Sequence, residues 1–546
     1  MLNHRGRILP AAGMEQVLFT DRDPIHHTGF WCNWLGDGIL EAKTGSRMNL
    51  IPNPSPSIRG NKFIALLVFI SAWLSAGWFH QSRDWNTASR LMLVYAIGDR
   101  GSVSLDGLQR QTGDLAFKDG HYYCDKAPGF SLIATPSYLL GKFIIGWPDH
   151  PLGQDGFAIW PADAFVTWLS SGLASALIAV FIYTILKQYG IKPNHAGAFA
   201  LMVVWASPMS VYSTLAYGHQ VASALLLASA CITLFKNLAI SKWPFSIGLL
   251  CGFAVLTELA QAPVAIAIGL AALASDRSIK SISKNATLMI LGALPSALIL
   301  MLYNFIAFGS ALDMGYFHHA TQQFAKVHSA DNPLGLNFPD FSRLNPLLVG
   351  EYRGLLFYAP WAALAVVGWV LMIKNKSWKL LWLTLAGFVI PLWVNLSYPE
   401  WTGGWSTGPR LLVPALPWLG ISAGYALQIK WCRILSVILM IWGWLICSLF
   451  LGAGGRISQD IQRPFQDAVW PIWAGSPLPR FWPGERFSRT VPAELAEYYF
   501  QYKASDPRVW NLGLILLEIS VILMILVTFR RTGPKSIRNT TDTPPG

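Results

Sequence analysis

The chain has 546 residues, 53% of them hydrophobic and only 13% charged, with a formal net charge of +12. A water-soluble domain carries roughly a quarter charged residues, so this composition excludes a soluble globular protein of such length. The positive balance does not mark a nucleic-acid binder, because the basic residues sit in short loops between apolar runs; the partner they imply is a lipid bilayer.

Residues 1–60 are polar, lack a cleavable signal pattern and stand before Arg59, Lys62 and the first apolar run. Met48 directly precedes a short Pro/Ser stretch, so translation is expected to start there, with residues 1–47 a disordered or mis-called extension. About twelve runs then approach the ~20 residues that cross hydrocarbon: 63–80, 163–186, 196–215, 219–235, 245–258, 262–275, 286–308, 355–373, 380–397, 411–427, 434–452 and 510–529. Pro263 between the fifth and sixth predicts a tight hairpin there.

Charge tests this threading. With the N-terminus cytoplasmic, alternate short loops hold Lys187 and Lys192; Lys236 and Lys242; Arg277, Lys280 and Lys284; Lys374, Lys376 and Lys379; Lys430 and Arg433. The C-terminal tail adds Arg530, Arg531, Lys535 and Arg538, while the opposite short loops around Gly218 and Gln261 carry no basic residue. That is the bias of cytoplasmic loops. The expected fold class is therefore an all-α polytopic membrane protein of about twelve transmembrane helices with both termini cytoplasmic. Segments 81–162, 309–354 and 453–509 fall outside. Phe130–Trp147, interrupted by Pro136 and Lys142, is expected to lie as a surface helix in the large first outer loop, because counting it as a crossing would invert every later loop. The six cysteines show no CxxC and no metal-ligand spacing; only Cys124 falls in an outer loop, so no intramolecular disulfide is expected there.

The polar residues gather on the outer face. The first outer loop holds Asp84, Asn86, Arg90, Asp99 and Asp106, then Thr112-Gly113-Asp114 and Asp119-Gly120-His121-Tyr122-Tyr123-Cys124-Asp125-Lys126-Ala127-Pro128-Gly129. Carboxylates and imidazole can move a proton at a reacting hydroxyl, and Lys126 or Arg90 can hold an anion; the alternative is the ordinary polarity of an extramembrane loop. A second cluster runs from Tyr398 to Arg410. Its glycines permit close backbone approach, and Arg410, at the mouth of an apolar span, suits a phosphate at headgroup depth or snorkels beside a turn. His219, Glu258 and Asn304 sit at span ends, where polar groups serve either a substrate or an interhelical hydrogen bond.

Several of these pieces, in this order, resemble the GT-C glycosyltransferases, closest to the branch of protein O-mannosyltransferases and aminoarabinose transferases. They are Asn86-x-x-Ser89-Arg90, Gly113-Asp114 with Gly120-His121-Tyr122-Tyr123, Tyr303-Asn304 with Phe308-Gly309, Arg353-Gly354-Leu355, and Gly404-Trp405-Ser406-x-Gly408-Pro409-Arg410. Asp125-Lys126-Ala127-Pro128-Gly129 stands where that branch has a Lys-Pro-Pro-type motif, with Ala127 in place of the first Pro. The resemblance covers roughly residues 60–430 and departs in one respect: the usual acidic pair after the first span is not evident, Asp84 being near and Asn86 at the aligned place.

The resemblance implies transfer of one sugar from a polyprenyl-phosphate carrier to a glycan, lipid or protein acceptor outside the cytoplasmic (inner) membrane. It implies a catalytic carboxylate among Asp114, Asp125 and Asp84. Asp114 is favoured, being flanked by Gly113 and near the His/Tyr/Lys group. Substrate or phosphate contacts fall to Lys126, Arg90, His121, Tyr123, Arg410, Asn86, His219 and Glu258. No cofactor is called for, and a divalent metal is left open. The division that follows is an extension over 1–60, a catalytic transmembrane region over 61–430 with outer loop 81–162, a C-terminal transmembrane pair over 431–530 with outer loop 453–509, and a tail over 531–546. A lipid-linked sugar polymerase or ligase fits the same features, and so does a transporter or flippase, although the last would place more ionisable residues at mid-membrane.

Overall fold

A computed structural model describes residues 58–81, 83–153, 160–235, 242–328, 332, 334–478, 487–504 and 506–528. The expected N-terminal extension, Lys236 and the basic tail residues from Arg530 onward lie outside the described residues.

The apolar runs fold as helices. α1 covers Ile58–Ala76 and, after the first outer loop, α4 covers Pro161–Gln188. The loop between them is built from β1 (Phe79–His80), α2 (Trp85–Arg100), β2 (Leu115–Lys118), β3 (His121–Cys124) and α3 (Gly129–Ile145). Then follow α5 (Pro193–Trp205), α6 (Gly218–Leu234), α7 (Trp243–Thr257), α8 (Ala262–Leu273), α9 (Ile279–Phe308), α10 (Leu364–Lys374), α11 (Trp378–Ser397), α12 (Arg410–Gln428) and α13 (Lys430–Gly452). β4 (Arg489–Thr490), α14 (Val491–Phe500) and α15 (Arg508–Thr528) complete the described chain.

Among the described residues, six helices are long and apolar enough to cross a membrane: Pro161–Gln188, Ile279–Phe308, Trp378–Ser397, Arg410–Gln428, Lys430–Gly452 and Arg508–Val527. The protein is thus a multi-pass helical chain. The other runs give shorter helices, and two are broken at prolines: Pro208 lies just beyond α5, and Pro360 interrupts the run from 355 to 373. Helix length supports six crossings; twelve rests on the charge alternation.

Two features of the packing suit lipid. On α9, Ile290, Leu294, Leu298, Leu302 and Phe305 are exposed and fall three or four residues apart, which makes a continuous apolar stripe. The opposite face of α9 meets α7 at very short range. A Cβ added at Gly248 would strike the Met289 carbonyl, and one at Gly292 the Phe245 carbonyl, the small-residue contact by which helices associate where no hydrophobic drive exists.

The segment between α1 and α4 is more than a surface layer. Asp84 caps α2 by accepting from the Thr87 amide at 2.7 Å, and residues 87–96 of that helix are buried because its sequence is apolar on nearly every side. β2 and β3 form a hairpin closed by Asp119 and Gly120 at φ 51° and 87°, the left-handed pair that a two-residue turn requires. α3 starts with Gly129 against the backbone of Leu256 and Thr257 and ends with Phe143, Ile144 and Ile145 exposed.

The last described segment packs on the first. β1 pairs antiparallel with β4, His80 Nδ1 lies 3.0 Å from Glu494, and Glu518 in α15 accepts from Ser75 Oγ and Trp444 Nε1 at 2.7 Å each.

Candidate active site

The hairpin decides where the first charges fall. Leu115 pairs with Cys124 at its open end, so the next residues out, Asp114 and Asp125, come opposite one another although ten residues separate them in sequence. Lys126 stands between them, its Nζ 3.1 Å from Asp114 Oδ2 and 2.5 Å from Asp125 Oδ2. Asp125 also meets His319 Nε2 at 3.1 Å and accepts from Ser89 Oγ at 3.4 Å. His319 arrives because residues 319 and 320 lie along β2, with the Ala320 amide donating to the Leu115 carbonyl at 2.8 Å.

The two carboxyls are unequal. Burial pushes Asp114 above the ordinary carboxylate range; Lys126 opposes this, while the negative charges of Asp125 and Asp84 add to it. At Asp125 burial acts the same way, but Lys126 and His319 outweigh it and hold the carboxyl well below that range. Burial disfavours the Lys126 ammonium, yet the two aspartates keep it firmly protonated. Environments that drive two carboxyls apart in this way are those in which one serves as base and the other as a fixed charge.

A second group stands beside this one. Arg90 on α2 donates to Glu258 Oε1 at 2.8 Å and to Asn86 Oδ1 at 3.1 Å, and His219 Nδ1 lies 3.6 Å from the same Glu258 oxygen. Gly218 makes room: a Cβ there would collide with the Glu258 carboxylate. Arg90 Nη1 and His219 Nε2 are buried without a hydrogen-bond partner, an arrangement that costs free energy unless something else pairs with them.

The third group hangs on the glycine-rich turn. Arg353 is fully buried and donates to the carbonyls of Thr402 (2.9 Å), Gly404 (2.9 Å), Ser406 (3.2 Å) and Tyr352 (3.1 Å). The turn it braces has Gly403, Gly404 and Gly408 at positive φ and delivers Arg410. Arg410 donates to the Tyr217 hydroxyl at 3.3 Å and lies over the Tyr217 ring, 5.1 Å from its centre, while its Nε has no partner. The Tyr217 hydroxyl in turn donates to Asp84 Oδ2.

These groups converge because helix direction alternates. The C-terminal ends of α7, α9 and α11 carry Glu258, Asn304 and Tyr398, and the N-terminal ends of α2, α6 and α12 carry Asp84, His219 and Arg410, in or just beyond the helix. A small cavity of about 10 Å³, lined by Asp125, Lys126, Pro128, Leu259, Leu300 and Tyr316, lies between the Lys126 pair and α9, whose Leu298 and Leu302 are exposed.

Most of the sequence candidates fall within these three groups: Asp114, Asp125 and Lys126; Asn86, Arg90, Glu258 and His219; Asp84 and Arg410. Two do not. His121 sits at the hairpin tip, its side chain 58% exposed and 2.6 Å from Asp106. Tyr123 packs edge-on against Phe308. His319, Tyr217 and Tyr316 join the site without having been singled out as site residues, and Ser89 joins it from the Asn86-x-x-Ser89-Arg90 motif. Tyr217 stood two residues from His219, but nothing local marks His319, whose place depends on the outer segment after α9 lying along β2. Among the described residues no group of three or more His, Cys, Asp or Glu is placed to hold a metal ion.

Fold and site together define a multi-pass helical protein with a buried, mixed-charge pocket at one end of its bundle. No protein-family model and no curated protein matches the chain. Among solved structures it is similar to the crystal structure of ArnT from Cupriavidus metallidurans bound to undecaprenyl phosphate, at 14% identity and a TM-score of 0.46, over 86% of this chain and 76% of that one. It is also similar to the apo structure of ArnT from the same organism, at 14% identity and 0.42, over 85% and 70%. The likeness is distant on both measures, and the site's own geometry carries the functional reading.

Proposed function

We propose that this protein is a membrane glycosyltransferase that moves one sugar from a polyprenyl-phosphate carrier to an acceptor hydroxyl on the outer side of the cytoplasmic membrane. The observation that carries the reading is the pairing of a raised and a lowered carboxyl around one ammonium, beside buried guanidinium and imidazole nitrogens that have no protein partner. The exposed apolar stripe of α9, beside the Lys126 pair, supports a donor whose tail stays in hydrocarbon.

In this reading Asp114 is the base, since a carboxyl with a raised pKa is the better proton acceptor. The acceptor oxygen attacks the anomeric carbon as Asp114 takes its proton. The bond from that carbon to the phosphate oxygen breaks, and its electron pair leaves with the phosphate. Lys126, with Arg90 or Arg410, faces the charge that develops there. A single displacement inverts the sugar carbon. Asp125, pinned by His319 and Lys126, keeps the ammonium in place.

Purified protein in bilayers, supplied with a panel of polyprenyl-phosphate sugars, tests the proposal. One donor should be consumed, and Asp114→Asn should slow transfer by about a hundredfold to ten-thousandfold, the usual worth of a general base, with donor binding retained. Normal turnover by Asp114→Asn, with Asp84→Asn or Asp125→Asn inactive, reassigns the base. Full activity of all three overturns the reading.

A further inference from the structure

α14 is unlike the other helices of the outer segments. None of its residues is buried, yet Leu495, Tyr498, Tyr499 and Phe500 are 50%, 79%, 68% and 80% exposed, and Tyr502 just beyond is 55% exposed. A soluble surface rarely shows so contiguous an apolar patch without a partner for it.

The chain itself limits where this patch sits. β4, immediately before α14, pairs with β1 at the end of α1, and Glu494 within α14 reaches His80. Gln501, at φ 52°, turns the backbone out of the helix. Seven residues later Arg508 opens α15, whose exposed Val509, Leu512 and Leu516 belong to a helix apolar enough to cross a membrane. At no more than about 3.5 Å per residue Tyr502 lies within roughly 20 Å of that entrance and Phe500 within roughly 28 Å. Trp78 Nε1, donating to the Trp510 carbonyl at 3.2 Å, ties the entrance to the end of α1. Tyrosine and phenylalanine at such a level favour the boundary between headgroups and acyl chains, and the exposed Arg508–Asp506 ion pair between patch and helix suits the headgroup side of that boundary.

We propose that α14 is an interfacial anchor. Leu495, Tyr498, Tyr499, Phe500 and Tyr502 insert into the headgroup layer at the same end of the bundle as the charged pocket and set the depth of the first outer loop through the β1–β4 pair. The occupant of this face is the bilayer, and the assignment stands independently of the reaction proposed above.

The test is depth measurement by spin labelling in lipid nanodiscs. Tyr499→Cys and Phe500→Cys are labelled separately, with Asp119→Cys at the exposed hairpin tip as an aqueous reference and the unsubstituted protein as the measure of labelling at native thiols. The ratio of collision with dissolved oxygen to collision with a water-soluble nickel chelate should be several-fold higher at 499 and 500 than at 119. Equal ratios would overturn the proposal by placing the patch in water. Protection of 499 and 500 from both reagents would also overturn it, in favour of a protein partner on this face.

Discussion

Arg353 offers a test that needs no substrate. It is a fully buried cation whose hydrogen bonds all go to backbone carbonyls, three of them in the turn over residues 402–406. Arg353→Met keeps most of the aliphatic stem and removes every donor. A buried carbonyl left unpaired costs about 1–3 kcal/mol; that of Ser406 is buried, while those of Thr402 and Gly404 are half-buried and lie 3.3 Å from the Ser406 hydroxyl, so about 3–9 kcal/mol is the upper bound for the three. Water entering the turn reduces the loss toward the lower figure. About 3 kcal/mol corresponds to roughly a hundredfold rise in the population of the opened turn. Cleavage near Gly403–Gly404 by a protease acting on that opened form should accelerate by a similar factor. Arg353→Lys should recover only part, because one ammonium cannot span the three carbonyls that a planar fork reaches. Limited proteolysis of the three proteins in bilayers reads this directly. A turn as resistant in Arg353→Met as in the parent would refute the idea that Arg353 holds it.

Three other outcomes follow from the same structure. Arg410→Ala should weaken donor binding and Arg410→Lys restore it in part, measured by titrating a polyprenyl-phosphate sugar; unchanged affinity in the alanine variant would leave Arg410 a mere anchor for Tyr217. A cysteine placed at Gly120, exposed at the hairpin tip, should react with an impermeant reagent from outside intact cells, and labelling only from the cytoplasmic side would break the topology. Burial, helped by Arg83, holds the His150 imidazole down to about 4, against about 6.5 in an unfolded chain. Between those values the unfolded chain binds the proton and the folded one does not. Stability from this group is therefore complete above about pH 6.5 and declines as pH falls toward 4, by up to about 3 kcal/mol. Thermal unfolding across that window should flatten in His150→Gln, and an unaltered slope would assign the acid sensitivity elsewhere.

The helical, multi-pass class was legible because it follows from composition and run length. Asp114, Asp125 and Lys126 were singled out from the crowding of polar groups in one loop; the hairpin that sets the two aspartates opposite one another was not read from it, although an Asp-Gly turn is a local signal. The same hairpin misleads at His121: it is near Asp125 in sequence, yet a strand rises about 3.3 Å per residue, which carries the imidazole to the exposed tip. Arg90 and Glu258 were each noticed, but their ion pair spans 168 positions and depends on how α2 packs beneath the bundle. His319 and the link from Arg410 through Tyr217 to Asp84 belong to the same kind. Their partners come together only when helix ends converge, and no spacing rule encodes that. Arg353 stood in a recognised motif, but its work on the glycine-rich turn shows only in its distances.

The contacts that close the chain on itself also bear on how it is made. Ser75 waits for Glu518, 443 positions later, and His80 for Glu494, 414 positions later. At about 5–20 residues per second, a ribosome reaches Glu518 on the order of half a minute to a minute and a half after Ser75 has entered the translocation channel. For that interval the Ser75 hydroxyl lacks its carboxylate, and the short strand after it shows an unpaired edge. The loop that frames the pocket is therefore completed last although it is synthesised early. A chain that stops anywhere before residue 489 leaves that edge open, the kind of edge on which strands pair wrongly.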